Sequence, residues 1–143
     1  MSHWTWRARA LAALLALGCG AGAAAPVELR GETPGGARYL IVVPEGWRAG
    51  GPLAFVNHGF NFALDVDPDV GPLREVQLAQ GYALAASGFR GRGWALPFAL
   101  DDNAELLDVF RREIGEPGQI IPVGGSMGGI ISLKQAEDPR FAN

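Results

Sequence analysis

The chain has 143 residues, 48% hydrophobic and 19% charged, which suffices for one domain with a buried core and excludes a disordered chain. Its net charge is −3, or −5 once Arg7 and Arg9 are set aside, and no basic run occurs, so a nucleic-acid partner has no electrostatic support. Cys19 is the only cysteine, which excludes an internal disulfide framework and a thiolate metal site.

Residues 1–25 have the three-part layout of a secretory signal peptide: basic Arg7 and Arg9, an apolar stretch from Ala10 to Leu17, then small residues. Ala21-Gly22-Ala23 supplies an Ala-Xaa-Ala cleavage site, so an exported, periplasmic or extracellular product starting near Ala24 is expected. Leu15-Ala16-Leu17-Gly18-Cys19 is a loose lipobox, with Ala16 where a larger aliphatic residue is usual; membrane attachment would require lipidation of Cys19. Residues 26–143 form the folded part.

Two extended segments, Val27–Arg30 and Arg38–Val43, flank Thr33-Pro34-Gly35-Gly36 and predict a hairpin. Leu53-Ala54-Phe55-Val56 is apolar on both faces, as in a buried central strand, and runs into Asn57-His58-Gly59-Phe60. Asp65, Asp67 and Asp69 alternate as in a calcium loop, but Val70 and Val76 stand where that loop needs Gly and Glu, so no metal site is expected. The loop around them is expected to rim a site. A short helix follows from Pro72 to Gln80, capped by Asp69 or Gly71, and Tyr82–Ala86 is a further buried strand. Strand, helix and strand in that order predict parallel pairing with a right-handed crossover.

The loop from Ser87 to Pro97 carries Arg90, Arg92 and Trp94. Its glycines fail the dinucleotide pattern because Leu96 occupies the last glycine position, and no cofactor is expected. Its side chains either line a cleft or form a solvated loop with Trp94 tucked onto the core. Asp102–Ile114 is the clearest helix, with Leu106, Leu107, Phe110 and Ile114 on one face and Asp102 and Glu105 as a capping box.

Ile120-Ile121-Pro122-Val123 then reads as a strand, interrupted by a proline that withholds a ladder donor. Gly124-Gly125-Ser126-Met127-Gly128 follows it, and a helix resumes to about Glu137. The spacing Gly124, Ser126, Gly128 fits a nucleophile elbow, a sharp strand-to-helix turn that lifts a serine hydroxyl above the sheet; the bland alternative is a glycine-rich connection. Glycine has a steric reason two residues either side of Ser126, where a Cβ would crowd the turn. A phosphate loop is excluded because Ile130, not Lys, follows Gly129.

With the elbow, the His58-Gly59 loop and alternating strands and helices in this order, the chain from Val27 onward resembles the α/β-hydrolase superfamily, nearest to secreted bacterial esterases and related serine hydrolases. The resemblance implies an α/β fold, a mostly parallel sheet with flanking helices. It implies Ser126 as the nucleophile and the backbone N–H groups of Phe60 and Met127 as the oxyanion hole, with His58, Gly59, Gly124 and Gly128 supporting the motifs. His58 is expected to brace its loop rather than act as base. The expected partner is a small-molecule ester or amide substrate.

The pattern is incomplete. The 17 residues after Ser126 contain no histidine, and the other histidine, His3, lies in the leader. Asp138, the only aspartate after the serine, sits at a helix end and is not taken as the triad acid. The chain is therefore expected to be the N-terminal part of a longer hydrolase or a truncated reading frame, inactive as 143 residues, with the serine strand at or near a sheet edge. The alternatives are a non-catalytic exported binding protein on the same scaffold and a serine peptidase of the same superfamily.

Overall fold

The computed structural model describes residues 24–62 and 66–142. The leader up to residue 23, with Cys19, and Asp65 of the alternating acids lie outside the described residues.

The hairpin forms as expected: β1 (Val27–Glu32) pairs antiparallel with β2 (Arg38–Val43). Next come β3 (Pro52–Asn57), α1 (Arg74–Ala79), β4 (Ala83–Ser87), α2 (Ala99–Glu113), β5 (Gln119–Gly124) and α3 (Met127–Glu137), ending in a single 3-10 turn, Pro139–Phe141. The five strands lie in the order β1-β2-β4-β3-β5. β3 runs parallel to both β4 and β5, whereas β2 meets β4 antiparallel. The sheet is thus mixed, with its parallel part confined to the three strands joined through helices; the hairpin, closed by a short turn, has no crossover to reverse its direction.

Strand alternation sorts the core into two layers. Leu40, Val42, Ala54, Leu84 and Ala86 face Leu78 of α1 on one side. Ile41, Leu53, Phe55, Ala83 and Ala85 face Leu106, Leu107 and Phe110 of α2 on the other. β4 is buried along its whole length, and its small alanines let helices pack closely on both faces.

Two helix starts differ from the sequence expectation. α1 begins at Arg74, because Asp69 spends its side chain on the amide of Gly71 at 3.1 Å and Leu73 takes the cap position. α2 begins at Ala99, three residues before the expected cap; Phe98 is its N-cap and no side chain caps it. Asp102 is instead fully buried within the first turn, accepting the Arg90 amide at 2.8 Å and a short contact from Arg90 Nε. Glu105 accepts the Gly35 amide at 2.6 Å and Arg90 Nη2 at 3.1 Å. The predicted capping box is a three-way anchor that holds the hairpin turn and the Arg90 loop to α2.

Among the described residues β5 pairs with β3 alone, which makes it an edge strand. That accommodates Pro122 without a bulge, since an edge strand has one side with no ladder to serve. Beside it, Pro122, Val123, Gly129, Leu133 and Ala136 line an open groove of about 460 Å³ between β5 and α3.

Candidate active site

Parallel pairing sets Asn57 opposite Gly124, so the last residues of β3 and β5 end side by side and their loops leave the same edge of the sheet. The two motifs found in the sequence therefore meet. A Cβ on Gly128 would stand 2.1 Å from the Asn57 carbonyl oxygen, and one on Gly124 would stand 2.6 Å from the same oxygen. A Cβ on Gly59 would come within 3.7 Å of the Ser126 Cβ. Both elbow glycines are thus forced by sterics, by the backbone of β3 as much as by the turn itself.

Ser126 occupies the N-cap of α3 with φ 57° and ψ −128°, a conformation that a side chain adopts only under constraint. Its side chain makes no capping hydrogen bond and the residue is exposed. Met127, the first residue of α3, has an amide with no partner within the helix. Among the described residues neither its amide nor that of Phe60 donates to another backbone group. The Met127 side chain is buried with Phe89, Ala95, Ala99 and Ile131, and its sulfur accepts the Ala95 amide at 3.3 Å.

The His58 ring is engaged by its own loop and by the loop after β4. Nδ1 donates to the Gly59 carbonyl at 2.6 Å, Nε2 lies 3.4 Å from the Gly88 carbonyl, and the ring packs on Phe89 at 4.6 Å. Phe89 itself holds φ 55°, fixed by its amide on Ser87 Oγ.

Beneath these loops lies a buried polar cluster that sequence reasoning missed. Asn57 Nδ2 donates to Ser132 Oγ and to Gln135 Oε1, each at 3.0 Å, and Asn57 Oδ1 accepts from Asn103 Nδ2 at 2.8 Å. Asn103 also donates to Gln135 Oε1, and Ser132 returns its hydroxyl to the Gly128 carbonyl. Strand β3, helix α2 and helix α3 are cross-linked at the residue that contacts both elbow glycines. The available signal was an asparagine ending an otherwise apolar buried strand.

Three aromatic rings gather where the loops after β3 and β4 meet. Phe60 meets Phe62 edge-on at 4.6 Å and Trp94 at 5.4 Å. A bridge between Asn61 and Gly93, with the Gly93 amide on the Asn61 carbonyl at 2.6 Å, fastens the two loops together. Trp94 is exposed here and not tucked onto the core. On the α1 side of the elbow a cavity of about 500 Å³ opens between Val56, Val70, Leu73, Gln77, Val123 and Gly125. Among the described residues no group of three or more acidic, histidine or cysteine side chains is placed to hold a metal ion; Asp67 pairs with Arg38 at 3.0 Å. None of the described helices is long and apolar enough to cross a membrane.

No protein-family model matches the sequence. The chain is 28% identical over 111 residues to the o-phthalyl amidase of Xanthobacter agilis, an alignment that covers 76% of this chain and 23% of that protein. Among solved structures it is similar to an esterase of Pyrococcus furiosus, with a TM-score of 0.59 and 15% identity over 81% of this chain and 46% of the other. The fold is thus a hydrolase-type α/β fold, and the chain spans under half the length of the esterase and about a quarter of the amidase.

Proposed function

We propose that this chain carries the nucleophile half of an exported serine hydrolase acting on a carboxylic ester or amide. The observation that carries the reading is the strained Ser126 at the start of α3, wedged by Gly124 and Gly128 against the end of β3 and flanked by Gly59. The likeness in fold to an esterase and the similarity to an amidase support hydrolysis of an acyl bond, without choosing between ester and amide.

In this reading the Ser126 hydroxyl oxygen attacks the substrate carbonyl carbon while its proton passes to a base. The resulting oxyanion accepts hydrogen bonds from the Phe60 and Met127 amides, a pair of donors each worth on the order of 10²–10³ in rate. Collapse breaks the bond to the alcohol or amine, which leaves with the proton, and water releases the acid from the acyl-serine. His58 is committed to its loop, so the base and its acidic partner come from polypeptide beyond these residues. Residues 1–25 act as the export signal and residues 26–143 as the catalytic half-domain.

Labelling by a fluorophosphonate, with imidazole added as an external base, tests the proposal. Ser126 is expected to label at a rate that rises with imidazole, and Ser126→Ala to abolish it. Absence of labelling at any imidazole concentration would instead favour a non-catalytic binding protein on the same scaffold.

A further inference from the structure

We infer that Glu45 and the groove beside it form a docking site for the chain's own α-ammonium group, created when the leader is cut between Ala23 and Ala24. The inference rests on the reading of the leader as an export signal and is independent of the chemistry of Ser126.

Proline ends the first ladder on both strands. The register that pairs Val27 with Val43 puts Pro26 level with Pro44, and neither has an N–H to donate. Beyond them the Ala24 amide donates to Glu45 Oε2 at 2.8 Å. Both ends of that contact are held. Pro26 biases Ala25 toward an extended backbone and so sets the direction in which the chain enters β1. Glu45 stands in a tight turn closed by the Trp47 amide on the Pro44 carbonyl at 3.2 Å, with Gly46 at φ 81°. Pro26, Pro44, Leu78 and Ala79 line an open groove of about 320 Å³ around the contact, and Glu75 of α1 lines it too.

The charged groups of this groove leave Glu45 for a new cation. Among the described residues no ion pair joins Glu45 to an arginine or lysine, and its hydrogen bond is the one from Ala24. Arg74, the cation of α1, is engaged by Glu28 at 2.6 Å and by Glu75 at 3.5 Å. The Ala21-Gly22-Ala23 cleavage site ends at the bond whose nitrogen lies on this carboxylate.

As part of a peptide bond, that nitrogen offers one donor and no formal charge. Hydrolysis of the Ala23–Ala24 bond by an export peptidase consumes one water. The hydroxyl goes to the Ala23 carbonyl carbon, and the Ala24 nitrogen takes the remaining hydrogen together with the proton shed by the new carboxylic acid. The product is an ammonium with three N–H donors, already within hydrogen-bond distance of a carboxylate. It fastens the start of β1, the outer strand of the sheet, to the turn after β2, where a chain end otherwise frays. Ala24 and Glu45 are both exposed, so the pair adds little stability, and its effect is read on the amine itself.

N-terminal sequencing of the product exported by a bacterium, followed by acetylation of its amines, tests this. Lys134 is the only lysine, so Ala24 and Lys134 carry the two reactive amines, and mass spectrometry reads each peptide separately. The product is expected to begin at Ala24. Near pH 7 the carboxylate keeps the ammonium protonated, so the ratio of Ala24 to Lys134 acetylation is expected to rise about two- to threefold in Glu45→Gln, and the two proteins to converge above about pH 9.5. A product that begins at Ala24 with an amine equally reactive in both proteins overturns the docking site and leaves the export reading intact. A difference that persists at high pH marks a steric effect and overturns it too. A product cut elsewhere overturns the docking site alone, whereas a leader retained overturns the export reading and the docking site together.

Discussion

A methyl group at position 128 would overlap the Asn57 carbonyl, whereas one at position 125 would meet nothing within 4 Å. Gly128→Ala is therefore expected to destabilise the fold by about 1–3 kcal/mol or more, and Gly125→Ala to stay within about 0.5 kcal/mol, in urea unfolding at unchanged m-value. Ser126 offers the opposite case, since its left-handed backbone stores strain on the order of 1–3 kcal/mol. Ser126→Gly relieves that strain against a glycine entropy cost of about 0.5–1 kcal/mol, so it should raise stability by about 1 kcal/mol while removing the proposed nucleophile. A gain in urea midpoint together with lost labelling is the expected signature, and an unchanged or lower midpoint would show that the turn is unstrained.

At the scale of elements, the anchor between α2 and the Arg90 loop joins two carboxyl groups that respond to pH with opposite signs. Burial raises the Asp102 carboxyl above its ordinary value, against the hydrogen bonds of Arg90. Burial would raise Glu105 too, but its hydrogen bonds from Thr33, the Gly35 amide and Arg90 together hold it below its ordinary 4.5. A lowered value means stability that is present above pH 4.5 and lost as pH falls through the folded value; a raised value means stability gained on acidification. Glu105→Gln should therefore make the fall of Tm between roughly pH 6 and 3 shallower, and Asp102→Asn should make it steeper. Differential scanning calorimetry across that range would show the two slopes moving apart; slopes that move together would sink the assignment. The sequence announced α2 by its apolar face but placed its start at Asp102, because an acid followed three residues later by Glu reads as a cap. The true partner, Arg90, lies on another element, and no local pattern reveals a contact across that distance. His58-Gly59 and Gly124–Gly128 were legible because each motif carries its geometry in adjacent residues, whereas Asn57, Asn103, Ser132 and Gln135 become a cluster only once β3, α2 and α3 are packed.

On the scale of the whole molecule, strand lengths and the order of strands and helices announced an α/β sheet. The antiparallel entry of the hairpin between β1, β2 and β4 was not legible, because strand direction depends on which neighbour a hairpin chooses. The described β5 edge is open, and Ile130 and Leu133 of α3 are exposed beside it. Such an edge with an apolar flank templates association. Leu133→Lys is expected to lower the sedimentation-average mass of the chain at high concentration without altering its circular dichroism; an unchanged mass would place any association elsewhere. The approach of Gly59 to Ser126 has a further consequence. These residues come together only when β3 and β5 pair in register, and their loops are held there by a cluster that also needs α2. A nascent or half-folded chain thus has a serine without these loops assembled around it. The reactivity proposed for Ser126 is thereby tied to completed tertiary packing and doubles as a report that folding is finished.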